Sequence, residues 1–205
     1  MESSTAGTTK AGKNWERRNV PRLPALFLAA FHIQPGEASG LLTGFLHPIG
    51  GLDHVLAMIA VGLWGAQLGP PAVFILPVTF PMVMALGGTL GLMGVALPGV
   101  EVGIAISALV LGILVLAEAQ PPLAVAAVVV GFFAIFHGHA HGTELPPGQS
   151  GILYSMGFVI GTGFLHAVGI TLGLVHRWSS GRVALRAAGA VVALAGIGFL
   201  VRGLA

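Results

Sequence analysis

The chain consists largely of apolar segments long enough to cross a lipid bilayer. A bilayer core requires about 20 apolar residues per helix, with a range of roughly 17–25. Division at glycines, prolines and charged residues gives six such segments, at 52–68, 72–93, 100–117, 123–140, 152–176 and 184–201. Only 8% of the residues are charged, whereas a soluble domain has about 25%. A water-soluble globule is therefore excluded, and the sequence predicts an all-α membrane protein, a bundle of six transmembrane helices.

The first 31 residues form a separate region. Residues 1–22 contain five Lys or Arg and two Glu, and an apolar stretch from Leu23 to Ala30 follows. This order is typical of a secretory signal cut near Ala30, or of an uncleaved anchor. We therefore divide the chain into a signal-like region, 1–31, and a membrane domain, 32–205. Because the positive charge is concentrated in the tail, the pI of about 9.7 does not indicate nucleic-acid binding.

Basic residues also predict how the membrane domain is oriented. The loop between the fifth and sixth segments carries Arg177 and Arg182, and Arg186 follows shortly after. Lys and Arg are enriched in cytoplasmic loops, so we expect this loop in the cytoplasm. Counting back through alternating segments places the start of the first segment, and the loop between the fourth and fifth, in the periplasm of a bacterial inner membrane.

Two polar clusters interrupt the apolar sequence. The first, from His47 to His54, reads His-Pro-Ile-Gly-Gly-Leu-Asp-His and lies at the entry to the first segment. The second, from Phe136 to Glu144, reads Phe-His-Gly-His-Ala-His-Gly-Thr-Glu and lies at the exit of the fourth. Both clusters lie at the outer membrane boundary in the predicted topology. We therefore expect them to converge on one site that faces the periplasm.

The local structure of the first cluster follows from its proline and glycines. Pro48 and the glycine pair at 50–51 predict that the helix of the first segment begins after them, because proline and glycine disfavour a helix interior. His47 is then expected on irregular backbone, free to fold over Asp53 and His54. Asp53 is either a metal ligand or the group that orients a metal-bound histidine through a hydrogen bond.

Spacing decides which residues of the second cluster can act together. His137 and His141 are four residues apart and Glu144 is three residues further, so all three share one face of a continuous helix. His139 points elsewhere unless a neighbouring glycine breaks the helix. His166, in the middle of the fifth segment, is expected either to line a cavity as a deeper relay position or to bond a neighbouring helix.

These residue types indicate the kind of ion. Imidazole and carboxylate groups without sulfur suit borderline divalent ions such as Ni²⁺, Co²⁺, Zn²⁺ or Cu²⁺, and the chain contains no cysteine. The candidate metal residues are His47, Asp53, His54, His137, His139, His141, Glu144 and His166.

Other interpretations remain open at this point. Asp53 is also a favoured N-cap residue, and the histidines of both clusters can simply be solvated at the membrane surface. Glu101 and Glu118 lie at segment ends, where solvated carboxylates are ordinary. The clusters could instead hold the catalytic metal of a membrane metalloenzyme, although the chain lacks the His-Glu-x-x-His pairing. A haem-binding electron-transfer subunit would need facing histidines, which His54 and His137 could supply.

The two clusters resemble the motifs of the HupE/UreJ family of bacterial nickel/cobalt permeases. The family pattern of a His, five residues and Asp-His is matched by His47, Asp53 and His54. The pattern Phe-His-Gly-x-x-His-Gly-x-Glu is matched by Phe136, His137, Gly138, His141, Gly142 and Glu144. The resemblance extends from about residue 38 to the C-terminus. Family members begin the mature chain with a histidine directly after the small residues of the signal, whereas Phe31 here separates Ala30 from His32.

The resemblance implies six membrane spans after a signal-like segment and inward transport of Ni²⁺ or Co²⁺ for the assembly of hydrogenase or urease. The sequence contains no Gly-x-x-x-x-Gly-Lys-Ser/Thr run that would bind a nucleotide. We therefore expect a secondary permease of the inner membrane without a prosthetic group, whose partners are a divalent metal ion and the lipid bilayer.

Overall fold

In a computed structural model, which describes residues 35–145 and 148–204, all regular structure is helical. The helices are α1 (Pro35–Gly50), α2 (Leu52–Leu68), α3 (Ala72–Leu92), α4 (Val100–Leu116), α5 (Leu123–Thr143), α6 (Gly151–Gly173) and α7 (Ser179–Leu204), with a 3-10 turn at Leu174–Arg177. The predicted all-α class is confirmed. The signal-like region, its boundary at Ala30 and the residue His32 lie outside the described residues.

Most of the helices have the length of a membrane span. Helices α3, α5, α7 and the continuous segment Gly151–Arg177 are each long and apolar enough to cross a bilayer. The segments Gly40–Gly50 and Leu52–Leu68 qualify as a pair that is bent by 82°, and α4 is apolar but has 17 residues. The described part of the chain therefore has four spans, or five with the bent pair, and the number six stays a prediction.

Helix α1 corrects the prediction for His47. This residue lies in the last turn of a helix and not on irregular backbone. Pro48 is inside the same helix, where it removes one backbone donor, but the helix ends two residues later and few bonds are lost. Gly51 is extended, with φ −99° and ψ 116°, and separates α1 from α2. The glycine pair therefore divides two helices instead of preceding the first one.

Helix α2 lies in the interior of the bundle. It packs against α3, α4, α6 and α7, and most of its residues from Ala57 to Ala66 are buried. The indole of Trp64 is enclosed and donates to the carbonyl oxygen of Ala119 at 3.0 Å. Asp53 lies in the first turn of this central helix, so the first polar cluster leads directly to the core of the bundle.

Glycines bring several helices into backbone contact. A Cβ atom at Gly138 of α5 would collide with the carbonyl oxygen of Met84 on α3, and one at Gly142 would collide with the next turn of α3. A Cβ atom at Gly44 of α1 would collide with the backbone of Tyr154 on α6. Small residues permit such close approach between membrane helices. These contacts fix the positions of the histidines on α5 and of α1 relative to α6.

Candidate metal centre

A cleft of about 600 Å³ lies where α1, α2, α4 and α5 meet. Its titratable lining residues are His47, Asp53, His54, Glu101, His141 and Glu144. All of them except Glu101 come from the two polar clusters, which are separated by more than 80 residues of sequence. The predicted convergence of the two clusters on one site is therefore confirmed.

Three side chains at this cleft are close enough to share one ion. Nε2 of His47 donates to Oε2 of Glu144 at 2.9 Å, and Nδ1 of His141 lies 3.8 Å from the same oxygen. One potential ligand atom from each residue lies within 4.8 Å of the others. Ligand atoms on opposite sides of an ion with bonds of about 2 Å are about 4 Å apart. Small side-chain rotations would therefore let His47, His141 and Glu144 coordinate a divalent ion.

Asp53 is bonded to its neighbour in the chain. Its Oδ1 accepts hydrogen bonds from the backbone N–H and from Nδ1 of His54, both at 2.9 Å. A histidine that donates from Nδ1 to a carboxylate presents the lone pair of Nε2 to a metal. Asp53 is not part of the three-residue group that can share one ion. Its geometry fits the role of orienting His54 better than that of a direct ligand.

Imidazole rings continue from the cleft into the core. The ring of His141 lies 4.5 Å from that of His54, which lies 5.0 Å from that of His137. His137 donates from Nδ1 to the carbonyl oxygen of Phe133 at 3.1 Å. Within the described residues, Nε2 of these three histidines and Nδ1 of His141 are buried without a hydrogen-bond partner. Buried polar atoms nearly always have partners, so this concentration indicates a site that a ligand completes.

A deeper polar site lies beyond an aromatic ring. Phe80 of α3 is fully buried, and its ring centroid is 5.3 Å from those of both His137 and His166. His166 is also enclosed, and the hydroxyl of Thr162, one turn earlier on α6, is buried without a hydrogen-bond partner among the described residues. The histidine expected in mid-membrane is therefore buried, and Phe80 separates it from the outer histidines.

His139 does not join the other histidines. Helix α5 continues through its glycines, so His139 lies on a different face, where Nε2 donates to the carbonyl oxygen of Val95 at 2.7 Å. His139 is therefore not among the residues that the structure brings together at the cleft. It also gives no support to a haem between His54 and His137, because their rings are in direct contact and leave no space for a porphyrin.

Two residues of the site were not predicted from sequence. Glu101, in the first turn of α4, is exposed but lines the cleft together with Asp53. The predicted alternating topology puts the start of α4 at the outer boundary, and this expectation could have identified Glu101. Tyr154 packs its ring 5.8 Å from that of His47, and no sequence spacing relates it to either cluster.

The chain is similar to known proteins over most of its length. Residues 22–199 match the protein family described as "HupE / UreJ protein". The protein named "Protein HupE" of Rhizobium leguminosarum bv. viciae is 50% identical over 165 residues, which cover 80% of this chain and 86% of that protein. No solved structure matches the chain.

Proposed function

The chain belongs to the HupE/UreJ family of nickel/cobalt transporters, and from this membership we propose that it carries Ni²⁺, with Co²⁺ as the alternative, across the bacterial inner membrane. The ion is cargo and not a prosthetic group. It enters from the periplasm, and the cell uses it to assemble enzymes such as hydrogenase or urease. The family is one of transporters, and no feature of the site favours a metalloenzyme over transport.

The observation that carries this proposal is the group formed by His47, His141 and Glu144. Their potential ligand atoms lie within 4.8 Å of one another at a cleft that a hydrated ion can enter. Two imidazoles and one carboxylate form a donor set that suits Ni²⁺ and Co²⁺. Glu144 is exposed while His141 is buried, so the group spans the boundary between the cleft and the protein interior. We propose that it captures the ion.

The buried histidines then provide an inward route. His54 and His137 follow His141 at ring distances of 4.5 and 5.0 Å, and each carries a buried Nε2 without a partner among the described residues. Ion conduction requires several sites that each bind weakly enough to release the ion. We propose that the ion moves between these imidazoles and reaches His166 after Phe80 moves aside.

Uptake by purified protein in liposomes tests this function. The initial rate of ⁶³Ni²⁺ entry should saturate with external Ni²⁺, and Co²⁺ should compete more strongly than Mg²⁺ or Ca²⁺, which prefer oxygen ligands. Liposomes that contain His47→Ala protein, which lacks one of the three proposed ligands, are the control and should take up Ni²⁺ more slowly than wild-type liposomes. No uptake above protein-free liposomes, or equal competition by Mg²⁺, would contradict the proposal.

A further inference from the structure

Tyr154 is the only tyrosine of the chain and has a buried hydroxyl. The residue is 4% exposed, and its hydroxyl oxygen has no hydrogen-bond partner among the described residues. An unpaired hydroxyl in an apolar interior destabilises the fold. A phenylalanine would fill the same space without this penalty, so the hydroxyl requires an explanation.

The position of Tyr154 is closely defined. It lies in the first turn of α6, where its backbone is in contact with Gly44 of α1. Its ring meets that of His47 at an angle of 66° and a centroid distance of 5.8 Å. The same His47 ring donates from Nε2 to Oε2 of Glu144 at 2.9 Å, so Tyr154 packs against the imidazole that bonds this carboxylate. Tyr154 therefore borders the residues that we propose to capture the ion.

Ion capture changes the hydrogen bonding of Glu144. In the structure, Oε2 of Glu144 accepts a hydrogen bond from Nε2 of His47 at 2.9 Å. When both atoms coordinate an ion, this hydrogen bond is lost, because the metal takes the place of the shared proton. Carboxylates that ligate a metal are usually held by a further hydrogen bond. Glu144 then needs another donor, and Tyr154 has a buried donor without a partner among the described residues.

We infer that the Tyr154 hydroxyl donates a hydrogen bond to the Glu144 carboxylate when the ion is bound. Tyr154 is thus a positioning residue that acts on the ion through Glu144 and does not coordinate it. The inference rests on the proposed function, since it assumes that Glu144 is a ligand. On this inference, Glu144 accepts a hydrogen bond from His47 before the ion binds and from Tyr154 after the ion has bound.

Infrared difference spectroscopy tests this exchange directly. Because the chain has one tyrosine, protein labelled with ring-¹³C tyrosine shows the C–O stretch of Tyr154 alone. Addition of Ni²⁺ to the metal-free protein in nanodiscs should shift this band, as expected when the hydroxyl becomes a donor to a carboxylate. In Glu144→Ala protein at saturating Ni²⁺ the band should stay in place. An unchanged band in Ni²⁺-loaded wild-type protein, or a shift that persists in Glu144→Ala, would overturn the inference.

Affinity measurements supply an independent readout. Tyr154→Phe should weaken Ni²⁺ binding by about tenfold, the lower end of the effect of losing a partner of a metal ligand. The matched control is Ser107→Ala, which removes another buried hydroxyl, one that donates to the Ile104 carbonyl of its own helix. If Tyr154 acts through Glu144, the effects of the two substitutions on Ni²⁺ affinity are not additive. Tyr154→Phe should then cause no further loss of affinity in the Glu144→Ala background. Equal losses in both backgrounds would mean that Tyr154 acts through packing alone.

Absence of Ni²⁺ binding by the wild-type protein would instead refute the proposed function, and this inference with it.

Discussion

Replacement of Asp53 by asparagine separates the two roles that this carboxylate can have. The Oδ1 atom of Asp53 accepts two hydrogen bonds from His54, both at 2.9 Å. An asparagine side chain has an equivalent oxygen and nearly the same size, so it can accept both bonds without the negative charge. Asp53→Asn therefore keeps the orientation of the His54 ring and removes only the charge that strengthens Nε2 as a metal ligand.

The size of the effect follows from this geometry. A hydrogen bond to a charged group contributes about 1.5–3 kcal/mol and one between neutral groups about 0.5–1.5 kcal/mol. The Asp53 side chain is 27% exposed, so solvent reduces the difference to its lower end, roughly 1 kcal/mol. This corresponds to about a fivefold loss of Ni²⁺ affinity. Asp53→Ala removes both bonds and frees the ring, which should weaken binding by about 10–100-fold.

The assay is Ni²⁺ titration of metal-free protein in nanodiscs, with the two variants compared side by side. We expect Asp53→Asn to lie clearly between the wild-type protein and Asp53→Ala. A direct ligand behaves differently, because an amide oxygen is a poor substitute for a carboxylate at a divalent ion. Equal losses in Asp53→Asn and Asp53→Ala would therefore refute the orienting role and make Asp53 a ligand.

Three further predictions concern other parts of the bundle. His139→Gln should leave the Ni²⁺ Kd within about twofold, or ~0.4 kcal/mol, because His139 bonds Val95 away from the cleft; a larger loss on titration would return it to the site. Gly138→Ala should destabilise the protein by about 1–3 kcal/mol and lower its Tm in detergent, because the added Cβ collides with the α3 backbone. Gly163→Ala, whose Cβ would meet nothing within 4 Å, should leave the Tm unchanged, and equal Tm values for the two variants would contradict the packing. His166→Ala should slow Ni²⁺ uptake into liposomes but leave the Ni²⁺ Kd within about twofold, because Phe80 separates His166 from the cleft. An unchanged uptake rate would exclude a relay role for His166.

The helical framework followed from the sequence because apolar segment length is a strong local signal. Helix α2 has the predicted bounds of 52–68, and α3 and α4 end one residue before the predicted positions. Helix α1 was missed because Pro48 and the following glycines have the local signature of irregular backbone. That signature is correct for the sharp bend at Gly51, but tertiary packing against α6 extends the helix through the proline.

The site was predictable where topology or helical periodicity applied. The meeting of His47 with Glu144 followed from placing both clusters at the same membrane boundary, and the separate face of His139 followed from its spacing on a continuous helix. The hydrogen bonds of Asp53 and the location of Tyr154 did not follow. They depend on side-chain rotamers and on the contact between α1 and α6, which no local pattern encodes.

The most direct test of ion capture at the cleft is the initial rate of ⁶³Ni²⁺ uptake into liposomes at limiting Ni²⁺, compared between two histidine variants. His141→Ala removes the buried imidazole that lies between the cleft and the inner histidines. His176→Ala removes a histidine outside the cleft, in the 3-10 turn after α6, whose Nδ1 donates to the Gly173 carbonyl at 2.9 Å. The account predicts that uptake is lost in His141→Ala and retained in His176→Ala. Wild-type uptake by His141→Ala protein would contradict it.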